Sequence, residues 1–449
     1  MEFANTESEA IAEQYEAWVY PQPVPDMADA VANKGYWDLS DPALFRRKLW
    51  PRNVEPDDLD ILIAGCGANQ AAYYALQNPG CRVVGVDLSR ASLDHQAHLK
   101  EKHGLGNLEL RHMSLGDVAS LGRDFDLIVS TGVLPHTPEP EAGLRALRNV
   151  LRPHGVVSVM VYGWYPRFGV YMLKDVFRLL GLRQDAAGLG MVKRTIQDLP
   201  SWHHARGYMR LAPDLGYDAG LVDTFLIPVD RAYTVPQVLE FLEQGGLKLQ
   251  SWLDNVDYSI SACIMDRQDP LRQRIETLPV ADQWHLVELV AQSLANHRFL
   301  ACHPERPEGD YACDYAGDRW LDYVPSLRWP GRVAGEADPG RTAPPAAGPE
   351  AGRERRPLAR LLGRLTGTTH PPAAAAAAGP GPLVLCRGWH ASELSSLEAA
   401  LAGKVDGVRS IREIVGAATA PDAHQEARSA ARSFFRRMAE WDHFLYRIP

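Results

Sequence analysis

The fold of this chain is decided by the stretch Asp60-Ile-Leu-Ile-Ala-Gly-Cys-Gly-Ala-Asn-Gln70. Its apolar run has the length and the β-branched content of a strand that is buried on both faces of a parallel sheet. Gly65 and Gly67 then turn the chain into a helical pattern that begins at Gln70. A strand, a glycine turn and a helix start bring backbone N–H groups to one point, where a polar or negatively charged ligand group can bind. The stretch therefore predicts a nucleotide-type pocket.

A second buried strand, Cys81-Arg-Val-Val-Gly-Val-Asp87, ends in a carboxylate twenty positions after Gly67. At this spacing a carboxylate can accept both hydroxyls of a ribose, so NAD and S-adenosylmethionine both fit the unit. The dinucleotide fingerprint places its third glycine where this chain has Gln70, because a pyrophosphate lies close against the helix start. S-adenosylmethionine carries no pyrophosphate and tolerates a side chain there. Asn69 and Gln70 therefore favour S-adenosylmethionine over NAD.

Residues 59–162 resemble the class I S-adenosylmethionine-dependent methyltransferases in five segments that follow one another at the expected spacing. The resemblance implies an α/β fold, namely a doubly wound, mostly parallel, seven-stranded Rossmann-like sheet with helical insertions. The chain departs from the commonest pattern at Ile63, where an acid often stands, and at Asn69, where a third glycine often stands. The five segments are Ile-Leu-Ile-Ala-Gly-Cys-Gly67, Val-Val-Gly-Val-Asp-Leu-Ser89, Ser114-Leu-Gly-Asp117, Phe125-Asp-Leu-Ile-Val-Ser-Thr-Gly-Val-Leu134 and Leu147-Arg-Asn-Val-Leu-Arg-Pro-His-Gly155.

The same resemblance implies which residues hold the cofactor. The glycine turn faces the methionine carboxylate and sulfur, the second strand ends at the ribose and adenine, a later loop binds the adenine amino group, and the fourth strand ends under the methionine portion. In that order the residues are Gly65, Cys66 and Gly67 with Asn69 or Gln70, then Asp87 and Leu88, then Asp117 and Val118, and finally Thr131 and Gly132.

The candidates for catalysis are His136 and Tyr162. Methyl transfer mainly requires that donor and acceptor be aligned in a dry pocket, and an acid or base is needed only if the acceptor must lose a proton. His136 lies in the loop that faces the acceptor in this fold, and Tyr162 ends the fifth strand; each can instead be structural. No metal site is expected, because the adjacent His203 and His204 do not converge as metal ligands must.

A chain of 449 residues is expected to form more than one domain, because single cores stop growing at about 250 to 300 residues. Asp406-Gly-Val-Arg-Ser-Ile-Arg-Glu-Ile414 resembles, near the C-terminus, winged-helix-like modules that bind partner proteins. We expect an N-terminal helical or lid segment over 1–50, a methyltransferase domain over 51–330 with insertions at 164–233 and 269–296, a flexible Pro/Ala/Gly/Arg-rich linker over 331–381, and a small α+β accessory domain over 382–449.

The composition of the chain limits the classes of partner that the protein is expected to bind. A net charge of -9 disfavours a nucleic-acid partner, because such proteins neutralise phosphates with basic side chains. The acidic N-terminus lacks the apolar core of a signal peptide, and no apolar run reaches membrane-spanning length, so a cytoplasmic protein without a membrane partner is expected. The sequence therefore predicts a methyltransferase acting on a small-molecule or a protein or peptide acceptor. Its rivals are an NAD-dependent oxidoreductase and a non-catalytic S-adenosylmethionine-binding scaffold that acts through its C-terminal module.

Overall fold

The computed structural model describes residues 11–33, 36–52, 58–292, 294–328, 384–387, 390–419 and 424–449. The chain divides into two compact units, Met1–Arg328 with Val405–Pro449, and Trp329–Lys404. The predicted linker, 331–381, lies outside the described residues.

An eight-stranded sheet forms the centre of the larger unit, in the order β3-β2-β1-β4-β5-β8-β7, with β6 pairing beside β5. Neighbours among β1 to β5 are parallel, and β8 is antiparallel to both β5 and β7. This confirms the predicted mostly parallel Rossmann-like sheet and adds the two-residue β6. The strands are β1 (Asp60–Ala64), β2 (Arg82–Asp87), β3 (Leu108–His112), β4 (Phe125–Thr131), β5 (Leu151–Gly163), β6 (Ala232–Tyr233), β7 (Lys248–Trp252) and β8 (Asn296–Cys302).

The first strand, β1, lies in the middle of the sheet. Every one of its residues is therefore buried. Its central residue Leu62 pairs with Val84 on one side and with Ile128 on the other. Branched apolar side chains suit this position, since helices cover both faces of a parallel sheet. The carboxyl ends of β1, β2 and β4 therefore meet at one edge.

Helices connect the strands and cover the sheet. Ser89 caps α4 by accepting a hydrogen bond from the Ser92 backbone, and Gly104 ends the helix in the left-handed conformation. The helices of the larger unit up to β8 are α1 (Met27–Ala32), α2 (Pro42–Leu49), α3 (Gln70–Gln77), α4 (Arg90–His103), α5 (Pro140–Asn149), α6 (Trp164–Leu179), α7 (Ala186–Asp198), α8 (Ala205–Met209), α9 (Asp218–Phe225), α10 (Val235–Gln244), α11 (Ile260–Cys263), α12 (Pro270–Ile275) and α13 (Val280–Ala291).

The helices α6 to α9 lie between β5 and β6 and have an apolar core of their own. Its centre includes Val170, Phe177, Val192 and Phe225, each nearly or fully buried. The two aromatic rings meet edge to face at 6.0 Å. We call these four helices the roof helices, because they lie beyond the carboxyl end of β5.

The chain after 404 adds to the larger unit. Its strand β12 (Phe444–Arg447) pairs with β9 (Val324–Leu327), and the buried Lys48 of α2 forms a 2.7 Å ion pair with Asp442. The winged-helix resemblance is not supported, and the observed unit boundary differs from the predicted boundary at 382 because these contacts join residues 405–449 to the sheet domain. The helices of this segment are α15 (Ile411–Ala418) and α16 (His424–Glu440).

The smaller unit contains an antiparallel hairpin and one helix within its described residues. The strands β10 (Val384–Arg387) and β11 (His390–Glu393) pair along their length, and α14 (Ser396–Ala402) follows with a capping box at Ser395 and Glu398. Among the described residues of both units, no helix combines the length and the apolarity that crossing a membrane requires.

Candidate active site

A cavity of ≈ 950 Å³ opens at the carboxyl ends of β1, β2, β4 and β5. Ligands of open parallel sheets bind at this edge, because the turns that follow the strands converge there. Its walls come from the glycine turn, the end of β2, the loop after β4, the N-terminal segment and the roof helices.

The glycine turn is held by the neighbouring strand. The backbone N–H groups of Gly65 and Cys66 both donate to the Val86 carbonyl, at 2.9 and 3.0 Å. Gly65 and Gly67 have φ values of +79° and +50°, which glycine adopts without strain. A Cβ on Gly65 would lie 2.3 Å from a methyl of Val133, so a side chain has no room here.

Asp87 connects the end of β2 to the glycine turn. Its Oδ2 accepts from the Gly67 N–H at 2.7 Å, and its Oδ1 accepts from the Ser89 N–H at 2.9 Å. Burial raises the pKa of Asp87, although these two N–H donors favour its charged form. The carboxylate lines the cavity and keeps lone pairs that can accept ligand hydroxyls.

Gln70 connects the start of α3 to the end of β4. Its side-chain amide donates to Asp38 Oδ2 at 2.9 Å and to Thr131 Oγ1 at 3.1 Å. Asp38 comes from the segment that precedes α2, and all three side chains line the cavity. Gly132, with φ +68°, follows Thr131 and lies close to Met160 and Tyr162.

The structure brings most of the predicted site residues to this cavity. Those that line it are Gly65, Cys66, Gly67, Gln70, Asp87, Leu88, Thr131, Gly132, His136 and Tyr162.

Three predicted residues lie elsewhere. The Asn69 side chain accepts from Val24 N–H and donates to the Gln22 carbonyl, each at 2.9 Å, so it binds the N-terminal segment. Asp117 accepts a hydrogen bond from the Ser114 hydroxyl at 2.7 Å, and Val118 packs in the core of the sheet domain. The cavity is lined instead by the preceding residues 114–116. The cofactor roles of these three residues stay predictions.

The N-terminal segment 11–27, which we call the strap, crosses the cavity. The Tyr20 carbonyl and the Pro21 ring lie 3.0 and 2.8 Å from where a Cβ on Gly67 would stand, so only glycine permits this approach. The strap residues that line the cavity are Ile11, Ala12, Tyr15, Tyr20 and Pro21. Of the two interpretations of this segment, a packed helix and a lid over the cofactor, its position over the glycine turn favours the lid.

Two tyrosine side chains of the strap form hydrogen bonds with α9 and with the segment just before it. Tyr15 donates to Asp223 at 2.8 Å, and Tyr20 donates to Asp214 at 3.1 Å. Asp223 is 3% exposed, and its burial raises its pKa, although the Tyr15 hydrogen bond acts in the opposite direction. These contacts close the cavity on the side opposite the sheet.

His136 and Tyr162 form a buried pair. The Nδ1 of His136 lies 2.9 Å from the Val229 carbonyl, and its Nε2 lies 3.1 Å from the Tyr162 hydroxyl. A carbonyl oxygen only accepts, so Nδ1 carries a proton; Nε2 accepts from the Tyr162 hydroxyl when the ring is neutral. Burial and the Asp223 carboxylate raise the pKa of Tyr162, which keeps its phenol protonated.

Arg167 holds the other face of Tyr162. Its guanidinium carbon lies 3.9 Å from the Tyr162 ring centroid, and its nitrogens donate to Tyr208 at 2.6 Å and to Asp230 at 2.9 Å. Burial opposes ionisation of Asp230, but Arg167 and Lys174 lower its pKa to about 2. The Tyr162 ring is therefore fixed between a cation and an imidazole.

Sequence reasoning missed Asp38, Tyr208, Asp214 and Asp223 as residues in or next to the cavity. They lie far from the glycine turn along the chain, and no local motif marks them. The one available signal was the position of the roof helices as an insertion after the fifth strand, which implied a wall without naming its side chains.

Comparison with known proteins agrees with this geometry. A family model described as a methyltransferase domain matches residues 62–157. An uncharacterized protein from Synechococcus sp. is 26% identical over 317 residues, 68% of this chain and 74% of that protein. The tRNA 5-carboxymethoxyuridine methyltransferase of Escherichia coli is 37% identical over 109 residues, but the match covers only 24% of this chain and 41% of that enzyme.

A similar fold occurs in the structure of PKMT2 from Rickettsia typhi in complex with AdoHcy, with a TM-score of 0.60, 13% identity, and coverage of 91% of this chain and 75% of that one. Residues 62–157 therefore match a methyltransferase domain, and the sheet has the class I, Rossmann-like fold of methyltransferases whose cofactor is S-adenosylmethionine. Neither the NAD-dependent oxidoreductase nor the non-catalytic scaffold is supported by these comparisons.

Proposed function

We propose that the protein catalyses methyl transfer by in-line displacement to a small-molecule or a protein or peptide acceptor. The observation that carries this proposal is the contact of Asp87 with the Gly67 N–H at the cavity edge. This contact supports the proposal, because a carboxylate next to a turn of bare backbone is suited to bind a ribose. The matched relatives include enzymes named for tRNA and ubiquinone-pathway substrates, so they do not specify one acceptor class.

The cavity fits the adenosyl cofactor in three respects. The glycine turn leaves backbone exposed, and Asp87 lines the cavity wall at the end of β2. Leu88 and residues 114–116 also line the cavity. When bound, S-adenosylmethionine supplies a methyl group that is already activated by its sulfonium. The protein then has to hold the acceptor in line and exclude water.

The acceptor chamber is the part of the cavity between the strap and the roof helices. Its phenols donate their protons inward to protein groups: Tyr15 to Asp223, Tyr20 to Asp214 and Tyr162 to His136. These phenols therefore present oxygen lone pairs to the cavity, and Asp214 adds a carboxylate. Such a chamber favours an acceptor that donates N–H or O–H groups.

The pair of His136 and Tyr162 is our candidate for removing a proton from the acceptor. The phenol oxygen accepts the N–H or O–H of the acceptor, while the phenol proton is already directed at the neutral Nε2 of His136. Arg167 stabilises the charge that develops on the phenol oxygen, because it lies against the ring.

Titration calorimetry tests the cofactor part of the proposal. We expect S-adenosylhomocysteine to bind and NADH not to bind, and Asp87→Ala to abolish the binding. Transfer of a labelled methyl group to candidate acceptors then tests the enzyme. Binding of NADH without S-adenosylhomocysteine would contradict the assignment, and binding of S-adenosylhomocysteine without transfer to any protein or metabolite fraction would favour a scaffold.

A further inference from the structure

We propose that Asp38 binds the ammonium group on the amino-acid tail of S-adenosylmethionine, an inference that rests on the proposed function. Asp38 lies on the wall of the cavity and belongs to neither the glycine turn nor the strands. It precedes α2, in a part of the chain that carries no cofactor motif.

The position of Asp38 corresponds to the tail end of the cofactor. Its Oδ2 accepts from the Gln70 amide at 2.9 Å, and the same amide reaches Thr131 Oγ1 at 3.1 Å. Gln70 begins α3 directly after the glycine turn, and Thr131 ends β4. Asp87, which is suited to the ribose, instead contacts the turn itself at the Gly67 N–H.

The carboxylate of Asp38 is held in one orientation. Its Oδ1 accepts from both the backbone N–H and the hydroxyl of Ser40, at 2.8 and 2.7 Å. The backbone N–H of Asp38 donates to the Tyr73 hydroxyl at 3.2 Å. The Oδ2 of Asp38, which accepts from the Gln70 amide, is the oxygen that meets the ligand. A group fixed before binding loses little entropy when the ligand arrives.

The charge of Asp38 selects between the two ionic groups of the tail. Its hydrogen-bond donors, Ser40 and Gln70, are neutral, so its charge is available to a cation. It attracts the ammonium and repels the tail carboxylate. The glycine-turn motif itself has no acidic side chain between Ile61 and Gln70. Asp38 therefore supplies from outside the motif a carboxylate that the motif lacks.

Titration calorimetry on the full-length chain tests the proposal with two ligands. S-adenosylhomocysteine has the amino-acid tail, whereas 5′-methylthioadenosine has the same nucleoside without it. We expect Asp38→Asn to weaken the binding of S-adenosylhomocysteine by about tenfold to a hundredfold, and to leave the affinity for 5′-methylthioadenosine unchanged. Retained binding of the second ligand also shows that the variant is folded.

Asp124→Asn is the matched control. It removes the same charge from the same domain, but Asp124 is exposed and lies outside the cavity lining, so both affinities should stay at the wild-type values. Equal affinities of wild type and Asp38→Asn for S-adenosylhomocysteine would overturn the inference, as would an equal loss for both ligands. Failure of the wild-type protein to bind S-adenosylhomocysteine would instead refute the proposed function itself.

Discussion

Replacing Gly65 by alanine should damage the glycine turn mainly through a single neighbour, Val133. The added Cβ would stand 2.3 and 2.7 Å from the two methyls of Val133. Ordinary carbon contacts are about 3.5–4.0 Å, so the valine or the turn must move. The positive φ of +79° adds a conformational cost that does not depend on Val133.

The two contributions can be given magnitudes. A left-handed conformation costs a non-glycine residue roughly 1–2 kcal/mol, and overpacking of this kind costs about 1–3 kcal/mol. We expect Gly65→Ala to lower the free energy of unfolding by about 2–5 kcal/mol. Val133→Ala, which removes two partly buried methyls, should lower it by about 1 kcal/mol.

A double-mutant cycle measured by urea denaturation separates the two contributions. If the clash is with Val133, Gly65→Ala in the Val133→Ala background should cost only the conformational part, a coupling of about 1–3 kcal/mol. The affinity for S-adenosylhomocysteine should recover in the same direction. Additivity within about 0.5 kcal/mol would show that the turn adapts without Val133 and would refute this reasoning.

Three further predictions follow from the site and its surroundings. Tyr162→Phe should lower kcat about a hundredfold with the affinity for S-adenosylhomocysteine unchanged; an equal loss of both would make Tyr162 a structural residue. The depressed pKa of Asp230, about 2, should contribute about 2 kcal/mol of stability above pH ~4 that is lost as the pH falls towards 2. Acid unfolding should therefore show this pH dependence in the wild type and not in Asp230→Asn. Asp442→Ala should cost about 3–5 kcal/mol in urea denaturation, because it removes a buried carboxylate that pairs with the buried Lys48 and Arg328; a cost below about 1 kcal/mol would show that these pairs behave as surface pairs.

The sheet could be predicted because its signals are local. Each buried strand is a short branched apolar run, and the turn after β1 needs glycine at two positions where φ is positive. The Rossmann-like order then follows from alternating strands and helices, which permit few topologies. The fold could therefore be predicted from residues 59–162.

The walls of the cavity could not be predicted in the same way. Tyr15 meets Asp223 and Tyr20 meets Asp214 across about two hundred positions of the chain, and no short pattern indicates such pairs. The motif likewise did not indicate that the Asn69 side chain binds the strap backbone at Val24. The C-terminal residues gave a misleading local pattern, because β12 pairs with β9 in the larger unit.

The strap has a consequence for the kinetic cycle. It is fastened at Tyr15 to a roof helix and at Val24 to the start of α3, with its backbone against Gly67. We expect a nucleoside seated below it to leave once these fastenings open. Release of the spent donor, rather than the displacement at carbon, is then expected to limit turnover, and a pre-steady-state burst of methylated product is its signature.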